Sequence, residues 1–232
     1  MSPPRKVSKR QMKEDQFVRT MLEARDWAED NLSRLLIGVG VVIVLVVGIW
    51  YISSSSSSSA QAAYDLLGRA EMEMRTGQTQ LAMIDLQKVL DDHGSSDAAN
   101  LACLKLANAY FDQSDFVKAE EYYRLYLEKY VIDEISRIAA LEGIAGSLAG
   151  QGQFAEAATR YLEVAKMNPE SVLYPYDLFY AVENAIKAED RATARQALAL
   201  LEEQGITSEI YRTARIMMIE HGFLTYSAGD YE

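Results

Sequence analysis

The pattern of hydrophobic and polar positions divides the chain into three stretches. Apolar side chains recur every three or four positions over residues 11–33, residues 35–52 carry no charge, and helical spacing returns from residue 60 to residue 232. A period near 3.6 residues is typical of helices that bury one face. No block of alternating apolar and polar residues predicts a strand. The pattern therefore predicts an all-α protein.

The uncharged stretch reads LLIGVGVVIVLVVGIWYI and has the length of a membrane span. At about 1.5 Å of rise per residue it covers roughly 27 Å, close to the thickness of a hydrocarbon core. Arg34 precedes it, and Trp50 and Tyr51 lie near its other end, where amphipathic rings favour the headgroup level. We expect residues 35–52 to form one transmembrane helix in contact with the lipid bilayer. An A-x-A cleavage site follows at residues 60–62, but the 34 residues before the span favour an uncleaved anchor over a signal peptide.

The charges on either side of this stretch are unequal. Residues 1–34 contain eight basic and six acidic groups, whereas Arg69 is the one basic residue among residues 53–72. Basic residues favour the cytoplasmic side of a membrane helix, so the N-terminal arm is predicted to be cytoplasmic and the rest to lie outside. In a bacterium this predicts a single-pass inner-membrane protein with a periplasmic body. The net charge of −11 argues against a nucleic-acid partner.

The stretch before the span has two interpretations. Its apolar side chains share one helical face and its charged residues the other, which predicts an amphipathic helix. Such a helix either rests on the inner membrane surface and leads into the span, or docks a cytoplasmic partner. The apolar positions are Phe17, Met21, Ala24, Ala28 and Leu32.

An unbroken serine run, Ser53 to Ser59, follows the span. Serine runs cannot build a core and are typical of flexible, solvated linkers. The run therefore predicts a boundary between anchor and body. The predicted organisation is a cytoplasmic arm at 1–34, a transmembrane helix at 35–52, a Ser-rich linker at 53–60 and a repeat domain at 61–232.

The last stretch is self-similar. The pattern of a copy is a small residue in its first helix, a Gly-type turn, an aromatic residue and an alanine in its second helix, and it is clearest in the third copy. Small side chains at a crossing let two helices approach closely, so each hairpin is predicted to pack on the next. About four hairpins and a terminal helix are expected. The second-helix alanines are Ala82, Ala119, Ala157 and Ala194, separated by 37, 38 and 37 residues.

These residues resemble the tetratricopeptide repeat family, whose units are helix–turn–helix hairpins with a period of 34 residues. The resemblance covers roughly residues 60–232. It implies an α-solenoid of antiparallel helix pairs, a fold whose extended surfaces bind other proteins. The charged arm, the single span ending in aromatic residues and the acidic body are together similar to the ancillary tetratricopeptide subunit of the bacterial Sec translocon.

The family resemblance further implies that certain first-helix positions line a concave groove for extended or helical peptides. One subgroup grips a peptide carboxylate with Lys and Asn. Here Asn108 matches, but Leu104 stands in place of the Lys, so an apolar groove with acidic edges is expected instead. The candidate peptide-binding residues are Tyr64, Leu67, Glu71 and Met74 in the first repeat, Leu101, Leu104, Asn108 and Phe111 in the second, Glu142 and Gly146 in the third, and Tyr176, Phe179, Glu183 and Ile186 in the fourth.

The sequence lacks the side-chain patterns that enzymes use. His93 and His221 lie far apart, Cys103 is the single cysteine, and no zinc, phosphate-loop or dithiol motif occurs. Cys103 is expected to be a small buried residue of the repeat core. We therefore expect no catalytic residue, no metal site, no cofactor and no small-molecule substrate.

These expectations combine into a non-enzymatic, membrane-anchored module for protein–protein interaction. Such a module is a scaffold beside an inner-membrane complex, or it receives polypeptides that emerge from a translocon. The alternative is a permanent structural subunit of a large respiratory or photosynthetic assembly, with no chaperone-like role. In both cases the partners are proteins, either membrane-complex subunits or polypeptide segments.

Overall fold

The computed structural model describes residues 19–22, 25, 27, 31–203 and 209–225, without the side chains of residues 35, 39 and 48–57. Every regular element in this range is a helix, which confirms the all-α prediction. The longer helices are α1 (Leu32–Arg75), α2 (Thr79–His93), α3 (Asp97–Asp112), α4 (Phe116–Lys129), α5 (Glu134–Gly150), α6 (Phe154–Met167), α7 (Tyr174–Lys187), α8 (Arg191–Glu203) and α9 (Glu209–Glu220).

The chain divides into two units, Met1–Ser58 and Ser59–Glu232. The first unit contains the beginning of α1. Within the described residues, no helix combines the length and the apolar character that crossing a membrane requires. Much of the predicted amphipathic helix lies outside the described residues, namely 11–18, 23, 24, 26 and 28–30.

The serine run differs from its prediction. We expected a flexible linker, but the backbone is helical from Leu32 to Arg75 and passes through the run without a break. Serine costs a helix only a few tenths of a kcal/mol relative to average residues, and extending a helix is far easier than starting one. The turns on either side therefore carry the helix through Ser53 to Ser59. The boundary between the two units still falls inside the run, after Ser58.

The second unit is a row of helical hairpins. The last part of α1 packs on α2, and α3 pairs with α4, α5 with α6, and α7 with α8. Each hairpin also contacts the next one along the chain, and α9 packs on both α7 and α8. Contact between sequence neighbours is the defining feature of a solenoid. The described residues thus form the four hairpins and last helix that the repeats predicted.

The first helix of each hairpin, and also α9, ends in the same turn. Two residues past the helix, one residue has a positive φ angle. Its N–H bonds to the carbonyl three residues back, and the next N–H bonds to the carbonyl five residues back. This Schellman motif satisfies carbonyls that a helix end leaves unpaired. The positive-φ residues are Gly77, Ser114, Gly152, Glu189 and Gly222, with φ between 57° and 78°.

Burial confirms the repeat phase that the alanines predicted. Each second-helix alanine lies five residues after a positive-φ turn residue, and each is fully buried. The turn and the alanine therefore keep the same spacing in all four hairpins. Because the fold repeats both features together, chance self-similarity of the sequence is excluded.

Glycines on α5 receive aromatic rings from the preceding hairpin. A Cβ atom at Gly143 would overlap the Tyr123 ring, and one at Gly150 would overlap the Phe116 ring. The two glycines are seven residues apart on α5, and the two rings are seven residues apart on α4. The close approach of α4 and α5 therefore depends on the missing side chains.

Candidate functional site

Two of the predicted groove residues belong to the interior. Leu67 packs in the core cluster of α1, α2 and α3, and Ile186 packs in the cluster of α6 to α9. Both side chains are buried, which corrects their assignment to an open groove. A first helix contacts its own hairpin partner and also a neighbouring hairpin. Each first helix therefore buries a wide part of its circumference. This part includes some positions that the repeat pattern assigns to the groove.

Four further candidates are half-buried against the core. Met74 packs on the first cluster, Leu104 and Phe111 on the cluster of α3 to α6, and Phe179 on the last cluster. Phe111 also meets the Phe116 ring edge to face, with 5.3 Å between ring centroids. These side chains support the helix contacts and leave only part of their surface for a partner.

The polar candidates on the surface already have partners. The Tyr123 hydroxyl donates a hydrogen bond to Asn108 Oδ1 at 2.6 Å. Glu183 forms an ion pair with Lys187 at 2.8 Å, and Glu71 forms one with Lys105 at 3.0 Å. Asn108 therefore positions a core tyrosine.

The remaining candidates lie on the surface or beside a cavity. Tyr64, Leu101 and Tyr176 are exposed. The space beside Gly146 is occupied by two aromatic side chains, since a Cβ atom at Gly146 would be 3.0 Å from the Phe111 ring and 3.1 Å from the Tyr161 hydroxyl. Of the predicted positions, Glu142 and Tyr176 share one cavity.

This cavity lies where α5, α6 and α7 meet, and we call it the acidic cavity. Its volume is about 290 Å³. Two carboxyl groups, three tyrosines and one leucine line it. The lining residues are Glu142, Tyr161, Leu173, Tyr176, Asp177 and Tyr180.

Asp177 is the most deeply placed polar group of the acidic cavity. Its residue is 5% exposed, and no hydrogen bond or ion pair to its carboxyl group comes from the part of the chain that the structure describes. Burial raises the pKa of Asp177 to about 7, and repulsion from Glu142 adds to this effect. The position in the first turn of α7 favours a negative charge, but that effect is smaller than the cost of burial.

Glu142 faces the same space from α5. Its Oε1 is buried and has no hydrogen-bond partner among the described residues. Burial raises the pKa of Glu142 above its usual range. The cavity therefore holds two carboxyl groups for which the described residues supply no positive charge.

Aromatic rings form the walls. The Tyr161 and Tyr180 rings lie 5.3 Å apart between centroids, with their planes at 35°. Burial raises the pKa of Tyr161 well above its usual range, so this phenol stays neutral. Leu173, Tyr176 and Tyr180 are between 41% and 48% exposed and form the mouth.

Sequence reasoning missed Asp177, Tyr161 and Tyr180. A signal for Asp177 was present, because Tyr174, Asp177 and Ala181 fall on one helical face. Two of those residues are apolar or aromatic, which predicts a buried face with an acid in it. The two tyrosines carried no such signal, since tyrosines in this chain also fill the core.

The row of hairpins, the repeated turn and the buried alanines define a helical-repeat protein. The tetratricopeptide repeat-like domain family matches residues 25–174 of the 232-residue chain. The chain therefore belongs to the tetratricopeptide repeat-like family. Proteins of this family are generally non-enzymatic, and the fold is that of a scaffold for protein–protein interaction.

A solved structure of a tetratricopeptide repeat protein from Parabacteroides merdae has a similar fold. The TM-score is 0.60, with 70% of this chain and 60% of that chain covered. Sequence identity is 17%, so the likeness concerns the fold alone. This chain thus spans about 60% of the length of that protein. No curated protein matches the sequence.

Proposed function

We propose that the chain is a membrane-anchored module whose repeats bind other proteins. The repeat solenoid presents the acidic cavity and its aromatic mouth to protein segments. Residues 35–52 anchor it in a bacterial inner membrane, with the arm in the cytoplasm and the repeats in the periplasm. The observation that carries the proposal is a helical-repeat fold with a cavity that is lined by two carboxyl groups and has exposed tyrosines at its mouth.

Exposed apolar side chains support the anchor. In α1, Leu36 and Ile37 are exposed, as are all residues of 41–47. An uncovered apolar helix surface of this kind is typical of a segment that contacts lipid or another protein. The excess of basic residues before the span supports the orientation.

The anchor also explains how weak contacts suffice. A module tethered beside its partner meets it at an effective concentration in the millimolar range for a short tether, so modest affinity still gives high occupancy. We infer an accessory place beside an inner-membrane complex, or at the exit of a translocon where polypeptides emerge. The similarity to the ancillary translocon subunit supports the second setting.

Crosslinking in membranes followed by mild detergent extraction tests this proposal. We expect the full chain to capture several proteins, each in a substoichiometric amount relative to the chain itself. A chain ending at residue 60 is the matched control, because it keeps the span and lacks the repeats. Capture at a fixed ratio to one complex, undiminished by removal of the repeats, would instead identify a permanent structural subunit.

A further inference from the structure

We propose that the acidic cavity binds one lysine or arginine side chain of a protein partner, an assignment that rests on the proposed function. Lysine and arginine side chains both carry a positive charge at the end of an apolar stem, and we expect the cavity to recognise this combination. The carboxyl groups of Asp177 and Glu142 line the cavity together with three tyrosine rings.

The unpaired carboxyl groups are the first reason. Burying a carboxylate without a hydrogen bond or an opposite charge destabilises a protein, and such groups are usually neutralised, paired or functional. Asp177 is 95% shielded from solvent, and no hydrogen bond or positive charge from the described residues acts on its carboxyl group. Glu142 Oε1 is buried and has no hydrogen-bond partner among the described residues. A cation from outside would supply the missing interaction to both groups.

The tyrosine rings are the second reason. A cation over the face of an aromatic ring within about 6 Å is attracted by the ring's negative face, most strongly where water is excluded. The Tyr161 ring lies in the wall of the cavity and packs against the Tyr180 ring, which lies at the mouth with Tyr176. Carboxylates and aromatic faces attract the same kind of ligand, whereas an anion or an apolar side chain would gain nothing from the carboxyl groups.

Size and surroundings favour a side chain of a polypeptide. A volume of about 290 Å³ lies just below the range of pockets that hold a drug-sized ligand. Apolar residues border the opening, with Leu173 at the mouth and Val172, which is 86% exposed, beside it. A lysine or arginine would lay its methylene stem along these groups while its charged end reaches Asp177. The residues that flank it in the partner are therefore expected to be apolar.

The test uses the full chain in detergent micelles and short peptides of Ala and Leu with both termini capped. The peptides differ only at one central residue, which is Lys, Arg, Gln, norleucine or Glu. We expect the Lys and Arg peptides to bind at least about tenfold more tightly than the Gln and norleucine peptides. The Glu peptide should bind most weakly of all.

Variants then locate the selectivity. Asp177→Asn combined with Glu142→Gln should reduce the preference for Lys over norleucine to within about twofold. Glu163→Gln is the matched control, since Glu163 lies on α6 outside the cavity lining and is paired with Arg160. This control should keep the full preference. Circular dichroism checks that each variant is folded.

Tyr180→Leu gives an independent readout that keeps both carboxyl groups. It should weaken the Lys peptide by about threefold to tenfold and leave the norleucine peptide unchanged, because it removes only the ring face. This variant decides the matter if the double variant does not fold.

Three results would overturn the inference. These are equal binding of all peptides, a preference for Lys that survives in the double variant, and competition by cadaverine at the same concentration as the Lys peptide. The last result would show a site for free amines. Peptide binding without charge selectivity would leave the proposed function intact, because that function is tested separately by capture in membranes.

Discussion

Ser114 and Glu189 occupy a backbone conformation that glycine adopts at lower cost. Their φ angles are 60° and 57°, in the left-handed region where a Cβ atom costs about 1–2 kcal/mol. Replacing either with glycine should remove that cost, offset in part by the greater freedom of glycine in the unfolded chain. We predict that Ser114→Gly and Glu189→Gly each raise the free energy of unfolding by about 0.5–1 kcal/mol. Denaturant unfolding monitored by circular dichroism measures the change.

Two matched substitutions control for this prediction. Ser114→Ala retains a Cβ atom and should give no gain. Gly152→Ala should destabilise the protein, and because a Cβ atom at Gly152 would meet nothing within 4 Å, any loss comes from the backbone alone. A stabilising effect of Gly152→Ala would contradict the assignment of strain.

Asp177 makes the stability of the folded chain depend on pH. Burial, aided by Glu142, raises the pKa of Asp177 to about 7, against about 4 in an unfolded chain. A raised carboxyl pKa means that the folded state holds the proton more tightly, so the contribution of Asp177 to stability is greatest below pH 4 and is lost as the pH rises through 7. We predict that Asp177→Asn gains about 1–3 kcal/mol over the native chain at pH 8 and little at pH 4. Melting temperatures measured across this range test the difference.

Asp85 provides a control of opposite sign. Its hydrogen bond with Arg69 lowers the pKa of Asp85, so its contribution is present at neutral pH and lost as the pH falls below 4. Asp85→Asn should therefore destabilise the chain at pH 7 and have less effect in acid. Curves of the same shape for both variants would contradict the environments described for the two carboxyl groups.

Single residues show where sequence reasoning succeeds and where it stops. Ala157 and the equivalent alanines were placed correctly because a small buried residue recurs at a fixed spacing. The groove assignment failed for Leu67 and Ile186 because a repeat phase gives the position along a helix but not the width of the buried sector. Asp177 was missed because its role depends on Glu142 and Tyr161, which lie on other helices.

At the scale of whole helices, the α4–α5 contact depends on glycine. A Cβ atom at Gly143 would overlap the Tyr123 ring, and that ring is buried and held by the hydrogen bond from its hydroxyl to Asn108. The ring cannot move aside without losing the bond. We predict that Gly143→Ala destabilises the fold by about 1–3 kcal/mol through overpacking. Thermal and denaturant unfolding give the value.

Gly68→Ala is the same substitution in an open environment. Gly68 lies in α1, is exposed, and a Cβ atom there would meet nothing within 4 Å. Alanine at an exposed helix position is favoured over glycine by about 0.5–1 kcal/mol, so this variant should be more stable than the native chain. Equal effects of the two substitutions would show that α5 does not depend on the close approach of the Tyr123 ring.

Helices differ in how much of their placement the sequence determines. The number of hairpins and the turns between their helices followed from spacing, because each turn requires a left-handed residue at the same distance from a buried alanine. The continuation of α1 through Ser53 to Ser59 could not be predicted from the serine composition of the run. That composition shows only that the segment builds no core, whereas the helical conformation depends on the turns on either side. The serine composition predicts a flexible linker, whereas the cooperativity of helix formation predicts that a helix continues through the segment. In this chain the helix continues.

At the scale of the whole molecule, Cys103 provides an unreactive background for labelling. It is fully buried, and burial raises the pKa of its thiol to about 12. Its Sγ donates a hydrogen bond to the Tyr122 carbonyl at 3.4 Å. Because the thiolate is the reactive form, the folded native chain should resist maleimide until it is denatured. The expectation of a buried cysteine in the repeat core is confirmed.

This background permits a direct test of the proposed orientation, with one cysteine introduced at a time. Ser95→Cys lies in the exposed turn between α2 and α3, and Ser2→Cys lies in the arm. We predict that a membrane-impermeant maleimide labels Ser95→Cys on intact spheroplasts and labels Ser2→Cys only after lysis, because the excess of basic residues keeps the arm inside. Mass analysis of the purified chain gives the labelled fraction, and a cytoplasmic marker protein reports leakage.

Labelling of Ser2→Cys but not Ser95→Cys on intact spheroplasts would reverse the orientation. Protection of both until lysis would place the repeats inside the cell, and the acidic cavity would then have to find its basic partner among cytoplasmic proteins.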